Sequence, residues 1–309
     1  MTYGCKPSDG GNLILTEAER AALLADEGRP LFIKSGPTLA DCIRRYVGAR
    51  DFINSDEVRY CLWLKDVSPA VYRRSKEVMR RLAAVREMRL RSTAAPTRKM
   101  AERPYLFFST PPLGGNYLLL PEVSSERRAY IPIGFMEPDV IAANTTLVVP
   151  GATAYHFGVL TSSVHMAWMR TVAGRLKSDY RYSAAVVYNN FPWPEGISPR
   201  NTRKPASRDT EHTEDGTDLP CVQCAAGGGF SVFCGRITAT AQGIIDARGR
   251  YPGASLADLY DPLTMPPDLR AAHAANDRAV LAAYGLKPDT PESEIVAHLF
   301  RLYAEKAKP

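Results

Sequence analysis

One short segment of the chain alternates charged residues with tyrosines. If it is a single extended strand, Lys177, Asp179 and Arg181 share one face, and Tyr180 and Tyr182 pack on the other. Lysine and arginine can donate to guanine O6 and N7, and aspartate can accept from cytosine N4. The pattern therefore predicts a surface that reads base edges. A solvated strand with mutually paired charges fits the same pattern.

A localised basic segment is the second feature that suggests a nucleic-acid partner. Between Arg73 and Arg103 the chain has eleven Lys or Arg against three Glu, a balance of +8 that exceeds the +6 of the whole protein. Such a block is typical of proteins that bind a polyanion. Arg80, Arg98 and Lys99 are the phosphate-binding candidates within it. The alternative is a solvated helix face.

A polar loop supplies further candidates for phosphate binding. Ser124, Ser125, Arg127 and Arg128 combine hydroxyl and guanidinium groups, which can hold a phosphate together with backbone N–H groups. Arg175 joins this set as a cation beside the alternating segment. An exposed turn with surface charges is the competing interpretation of the loop.

Size and composition indicate a soluble globular protein. The 309 residues have room for about two domains, and 45% hydrophobic with 23% charged residues is an ordinary balance. No apolar run is long enough to cross a bilayer, and the polar N-terminus does not resemble a signal peptide. We therefore expect a cytoplasmic protein without a membrane partner, in which Cys5, Cys42 and Cys61 are free thiols.

Hydrophobic periodicity and capping signals predict the elements that position these residues. Thr16 and Glu19 form a capping box at a helix start, and residues 76–91 form a helix with Val78, Leu82 and Val85 as its apolar stripe. The remaining predictions are a buried strand at 61–64, a β-rich region at 105–150, a helix at 161–172, and helices at 237–248, 269–284 and 291–306.

Together these elements predict an α+β domain followed by a small all-α domain. We expect the first domain at 1–198, a partly disordered linker or insertion at 199–236, and the C-terminal helical domain at 237–309. The linker is inferred from polar composition and from a run of three glycines.

Neither a metal site nor a catalytic histidine is expected. Cys221, Cys224, Cys234 and His212 are irregularly spaced, so free thiols are favoured over a zinc site. His165 has no accompanying nucleophile or ligand set, which favours a packed histidine over a catalytic one.

The motifs of DNA methyl transfer are also missing from the sequence. No Gly-x-Gly joins a strand to a helix as a cofactor-binding turn would. Thr110-Pro111-Pro112-Leu113 lacks both the amide and the aromatic residue of a base-holding tetrapeptide, and Asn189-Asn190-Phe191-Pro192 has them in the wrong order. No nuclease cluster of acidic residues with lysine stands out, so we assign no catalytic residue.

Long phrases in the right order show that the chain resembles the C-terminal part of the MmeI-like type II restriction–modification enzymes. The matching phrases lie at 6–13, 60–64, 124–128, 130–135, 156–160, 174–176, 180–183, 188–194, 251–256 and 259–262. These enzymes combine an endonuclease, an adenine N6-methyltransferase and a target-recognition domain in one polypeptide. The resemblance covers nearly everything outside 204–235, which is either an insertion or a mistranslated stretch of a decaying gene.

The resemblance implies a function and a set of base-reading residues. It implies a target-recognition domain over residues 6–194 and a helical domain from Ile237. Lys177 and Asp179 would act as a pair on one base pair, and Arg181 would read a neighbouring pair, together with a residue near Asn144 or Thr145. Lysine and aspartate suit a guanine and its partner cytosine.

The implied role is recognition of double-stranded DNA for an adenine-specific methyltransferase and restriction enzyme. The full-length enzyme would use S-adenosylmethionine. This chain, which lacks the nuclease and methyltransferase portions, is expected to hold no cofactor and to be inactive alone. Two alternatives stay open: a divergent S-adenosylmethionine-dependent methyltransferase active by itself, and an interaction subunit that docks on a separately encoded methyltransferase chain.

Overall fold

The chain divides into two compact units. A computed structural model describes residues 1–26, 38–55, 57–111, 114–194 and 228–307. Unit 1 contains Met1–Ser124, Pro132–Ala152 and Ser255–Asp258, and unit 2 contains Ser125–Ile131, Thr153–Ala254 and Leu259–Pro309.

Helices occur along the whole described chain and dominate its C-terminal part. They are α1 (Glu17–Asp26), α2 (Ala49–Asn54), α3 (Pro69–Tyr72), α4 (Lys76–Leu90), α5 (Ala95–Lys99), α6 (Ala154–Leu160), α7 (Ser163–Val172), α8 (Gly228–Gly249), α9 (Leu256–Leu259), α10 (Pro267–Ala283) and α11 (Glu292–Ala307). Short 3₁₀ turns lie at Ala40–Cys42 and Met100–Glu102, and a π-helical turn lies at Ala184–Tyr188.

Strands in the described residues are confined to the part before the C-terminal helices. They are β1 (Thr2–Tyr3), β2 (Ile14–Thr16), β3 (Ile43–Val47), β4 (Arg59–Leu62), β5 (Tyr117–Pro121), β6 (Val123–Ser124), β7 (Gly134–Met136), β8 (Ile141–Ala142), β9 (Thr146–Pro150), β10 (Gly174–Leu176) and β11 (Asp179–Arg181). The mixed first part and helical second part confirm the predicted α+β and all-α fold classes.

Two four-stranded sheets form the framework of unit 1. One has the order β1-β9-β5-β7 and is antiparallel throughout. The other has the order β2-β4-β3-β8, with β3 and β8 parallel. Every residue of β5 is buried, so its run of leucines forms a central strand, as the continuous apolar sequence indicates.

A capping box starts α1 where it was predicted. The Thr16 hydroxyl accepts from the Glu19 N–H at 3.2 Å, and the Glu19 carboxylate accepts from the Thr16 N–H at 2.9 Å, which completes the predicted capping box. Helix α4 spans the predicted range to within one residue, and its start is capped by the Ser75 hydroxyl.

Helix α4 uses two of its arginines for structure. Val78, Leu82 and Val85 are buried in the core of unit 1, as predicted. Arg89 lies on the same stripe, has no exposed surface and donates hydrogen bonds of 2.7–3.0 Å to five backbone carbonyls. Arg81 is also buried and pairs with carboxylates. The basic block therefore offers fewer cations to a partner than its composition suggests.

Unit 2 packs α6 and α7 together with the C-terminal helices. A Cβ on Gly158 would lie 2.8 Å from a methyl group of Ile237 in α8 and 3.1 Å from Ala241, so the absence of a side chain lets α6 and α8 approach closely. The Asn276 amide donates to the Gly158 carbonyl at 2.8 Å in the same buried region. Residues before and after the predicted linker therefore share one core.

The predicted linker is partly helical. Helix α8 begins at Gly228, well before the predicted start at Ile237, so residues 228–236 belong to a helix. The remainder of the predicted segment, with Cys221, Cys224 and His212, lies outside the described residues. The domain boundaries at 198 and 236 stay predictions.

Two features are absent from the described ranges. None of the helices there is long and apolar enough to span a bilayer. None of the His, Cys, Asp and Glu side chains of those ranges form a group of three or more placed to hold a metal ion.

Candidate nucleic-acid interface

The alternating segment is a β-hairpin, so the prediction of one continuous strand is wrong. Strands β10 and β11 pair antiparallel, with Leu176 opposite Asp179, and Lys177 and Ser178 form the loop between them. Lys177 has a φ of 57°, in the left-handed region that non-glycine residues seldom adopt. Asp179 and Arg181 share one face of β11 as predicted, whereas Lys177 lies at the exposed tip.

The tyrosines of the hairpin segment are buried, as predicted for the opposite face. Tyr180 is 9% and Tyr182 1% exposed. The Tyr182 hydroxyl lies 2.9 Å from Nε2 of His165, a buried histidine in α7. Burial lowers the pKa of His165 to about 3, so its imidazole is neutral near pH 7. The structure therefore places His165 as the packed histidine that the sequence favours.

Asp179 is held from the neighbouring loop. Its Oδ1 accepts a hydrogen bond of 3.3 Å from the backbone N–H of Glu126. The half-buried guanidinium of Arg128 interacts electrostatically with the carboxylates of Asp179 and Asp261. Burial lowers the pKa of Arg128, and the two carboxylates act in the opposite direction. An arginine nevertheless remains protonated in a protein, so Asp179 lies in a positive environment.

Arg175 contacts both strands of the hairpin and the loop. Its guanidinium carbon lies 3.8 Å from the ring centroid of Tyr180, the residue opposite it in the hairpin. Its Nη1 donates to the Ser178 carbonyl at 2.6 Å and to Oε2 of Glu126 at 3.4 Å. The predicted phosphate ligand is thus engaged in contacts within unit 2.

The polar loop has one residue that differs from its predicted role. Ser124 is 3% exposed and its hydroxyl has no hydrogen-bond partner among the described residues, so it cannot reach a phosphate on the surface. The Ser125 hydroxyl accepts from the Arg127 N–H at 3.3 Å, and the Ser125 carbonyl accepts from the Arg128 N–H. The loop is therefore a compact turn, from which the Arg127 side chain is exposed.

The phosphate candidates of unit 1 differ in how they are engaged. Arg80 forms a two-pronged ion pair with Glu77, at 2.6 and 2.7 Å, and this contact lowers the pKa of Glu77 to about 2. Arg98 donates to the carbonyls of Ser92 and Thr93, just past the end of α4. Lys99 is exposed at the end of α5. Arg80 is thus partly neutralised by its own helix.

Asn144 and Thr145 form an exposed turn between β8 and β9. The Thr145 hydroxyl accepts from the Ala49 N–H at 3.1 Å. Gly4 packs closely against the residue before this turn, because a Cβ at position 4 would lie 2.2 Å from the Ala143 carbonyl oxygen. These residues belong to unit 1 and the hairpin to unit 2, so their joint action with Arg181 stays a prediction.

Glu126 is the residue of this region that the sequence does not reveal. It holds Asp179 through its N–H and Arg175 through its carboxylate. No local pattern links position 126 to positions 175 and 179, because their contact depends on the fold. The sequence shows only that Glu126 and Arg175 have opposite charges.

Comparison with known proteins gives matches over nearly the whole chain. A family model described as the MmeI target recognition domain matches residues 1–195, and one described as the MmeI C-terminal domain matches residues 234–308. DNA methyltransferase A of Bacillus subtilis (strain 168) is 33% identical over 305 residues, which are 99% of this chain and 30% of that protein.

A solved structure agrees with these matches. The Type IIL restriction–modification enzyme MmeI, in complex with DNA, is 38% identical, with a TM-score of 0.80 over 98% of this chain and 35% of that one. The chain spans about a third of the length of both relatives.

Proposed function

Because the chain belongs to the MmeI family and matches its target-recognition and C-terminal domains, we propose that it recognises a specific double-stranded DNA sequence for restriction–modification. The observation that carries the proposal is the hairpin, which presents Lys177 at its exposed tip and Asp179 and Arg181 on one strand face. The enzyme served would be an adenine-specific DNA methyltransferase and restriction enzyme.

The hairpin would enter the major groove of the duplex. A two-stranded ribbon fits that groove, where each base pair presents a distinct set of donors and acceptors. Lys177 would donate to a guanine and Asp179 would accept from the partner cytosine, while Arg181 would read a neighbouring pair. Asn144 and Thr145 are the proposed companions of Arg181.

Phosphate contacts would supply most of the affinity but no sequence information. Arg80, Arg98, Lys99, Ser125, Arg127 and Arg128 are proposed for this role by their side chains. Ser124 could contribute only through its backbone, because its side chain is buried. Binding should weaken steeply with salt, since each neutralised phosphate adds about 0.9 to the slope of log K against log salt.

The cofactor of the complete enzyme is assigned to no residue of this chain. S-adenosylmethionine needs an open Gly-rich turn between a strand and a helix. Gly48 lies between β3 and α2, but it is followed by Ala49 and Arg50 and not by a second glycine, and its N–H already donates to the Asp51 carboxylate at 2.8 Å. The described residues at this junction do not fit the cofactor.

Under this proposal, other parts of the longer enzyme carry out methyl transfer and DNA cleavage. The chain would lie in the cytoplasm, because a protein that recognises cellular DNA must be in the same compartment as that DNA. A separately encoded methyltransferase chain is the alternative source of the catalytic part. Saturable binding of S-adenosylmethionine by the purified chain would instead favour an independent methyltransferase.

Selection from a random duplex library tests the recognition function. The purified 309-residue chain should enrich one sequence motif, and the double variant Lys177→Glu with Asp179→Arg should enrich a motif changed at one base pair. A matched variant, Lys99→Gln, should keep the motif, bind all duplexes more weakly and lower the salt slope by about 1. A wild-type chain that binds all duplexes equally at fixed salt would refute sequence recognition.

The double variant also tests the assignment of the two readers. If the chain selects a motif and the variant selects the same one, DNA recognition stands and the roles of Lys177 and Asp179 are wrong.

A further inference from the structure

The hairpin tip is held by one arginine whose contacts reach both proposed base readers. Arg175 covers the ring of Tyr180 at 3.8 Å and donates to the Ser178 carbonyl at 2.6 Å. Ser178 follows Lys177 in the two-residue loop. The contact therefore closes the loop in which Lys177 adopts its left-handed backbone conformation, with a φ of 57°.

The same arginine is connected to Asp179 through the neighbouring loop. Its Nη1 approaches Oε2 of Glu126 at 3.4 Å, and the Glu126 N–H donates to Oδ1 of Asp179 at 3.3 Å. Glu126 thus contacts both strands of the hairpin, one through its side chain and the other through its backbone. The contacts form a closed ring around the tip.

A left-handed non-glycine residue persists only where its surroundings hold it. The loop residues Lys177 and Ser178 lack the glycine or asparagine that ordinarily stabilises such a turn. The stabilisation must come from outside the loop, and the Arg175 contact with Ser178 supplies it directly. The direction of the Lys177 side chain then depends on Arg175.

We infer that Arg175 and Glu126 are positioning residues that set the geometry of Lys177 and Asp179, and so determine sequence discrimination rather than general affinity. This role rests on the proposed DNA recognition. It differs from the phosphate contact that the charge of Arg175 predicts. A phosphate contact depends on the positive charge, whereas the positioning role depends on the contacts that hold the hairpin.

Substitution of Arg175 by lysine separates the two roles. Lysine keeps the positive charge that a phosphate contact needs, but it lacks the planar guanidinium that stacks on Tyr180 while its Nη1 donates to Ser178 and Glu126. For Arg175→Lys we expect preference for the selected motif over a one-base-pair change to fall by about tenfold, the scale of one bidentate base contact. The slope of log K against log salt should not change.

The variants Glu126→Gln and Arg127→Gln provide matched comparisons in the adjacent loop. Glu126→Gln should also reduce discrimination, since it weakens the bond to Arg175 while leaving the backbone N–H in place. Arg127→Gln removes an exposed cation outside the ring, so it should keep the motif and lower the salt slope by about 0.9. The positioning role would be overturned if Arg175→Lys kept the full preference for the selected motif while Arg175→Gln lowered the slope of log K against log salt.

Amide hydrogen exchange of the free chain tests the ring without DNA. In Arg175→Lys, peptides covering residues 174–181 should exchange about two- to fivefold faster, the range expected for loss of an exposed cation–π contact. Unchanged exchange would overturn the inference even if the chain selects a motif. Faster exchange in a chain that selects no motif would overturn the proposed recognition and leave Arg175 only as a clamp on the hairpin.

Discussion

Substitution of Arg89 by methionine should strongly destabilise unit 1 without removing a DNA contact. The guanidinium has no exposed surface, and its nitrogens donate to five backbone carbonyls. The acceptors are the carbonyls of Pro7, Ser8, Met100, Arg103 and Leu106. Arg89 therefore joins the N-terminal segment, α4 and the chain that follows it.

The expected cost follows from the number and kind of these hydrogen bonds. The carbonyls of Pro7, Met100 and Arg103 also accept from a backbone N–H, so Arg89→Met leaves mainly the Ser8 and Leu106 carbonyls without a donor among the described residues. A buried acceptor left unsatisfied costs about 1–3 kcal/mol. We therefore expect Arg89→Met to lose about 2–6 kcal/mol of unfolding free energy. Arg89→Lys should be intermediate, because lysine has three donors and arginine five.

Urea-dependent amide exchange of peptides from α4 measures this loss in unit 1 directly. The matched control is Arg86→Met, which changes an exposed arginine of the same helix and should alter the free energy of unfolding by at most about 0.5 kcal/mol. A value for Arg89→Met within about 1 kcal/mol of the wild type would refute the reasoning, because it would mean that the Ser8 and Leu106 carbonyls are satisfied without the guanidinium.

Two further outcomes are expected. Burial lowers the pKa of His165 and His273 to about 3 and of His156 to about 4, so these three histidines bind more protons in the unfolded chain below about pH 6.5. Burial raises the pKa of Asp277, which acts in the opposite direction, but three groups outweigh one. The stability of unit 2 should therefore fall as pH drops from 6.5 toward 3, and melting that stays flat there would contradict this. Gly4→Ala places a Cβ 2.2 Å from the Ala143 carbonyl oxygen and should cost about 1–3 kcal/mol in thermal unfolding, with no loss if the turn shifts freely.

Helix α4 shows how far the sequence predicts this fold. Its range and apolar stripe follow from periodicity, and the Ser75 hydroxyl that caps its start is also a local signal. The charge count over the same segment is less informative, since it treats every arginine alike. A signal for the exception is present: Arg89 follows Val78, Leu82 and Val85 at helical spacing, which places its side chain toward the core.

The hairpin shows what the sequence could not predict. Alternation of charges and tyrosines indicates a strand but does not show where the chain reverses. A tight reversal is ordinarily marked by glycine or asparagine, and in this protein the loop is Lys177-Ser178. The turn depends on Arg175 and Glu126, whose contacts arise from tertiary structure. The tyrosine face could be predicted because burial alternates along β11 with or without the reversal.

The close approach of α6 and α8 has a consequence for making chimaeras with new specificities. Gly158 leaves room for Ile237, and the Asn276 amide saturates the Gly158 carbonyl at 2.8 Å. Suppose that α6 alone is grafted into a related protein. A residue bulkier than isoleucine at the position of Ile237 would clash with α6, and a residue without an amide at the position of Asn276 would leave the Gly158 carbonyl unpaired. A chimaera should therefore exchange α6, α8 and α10 together.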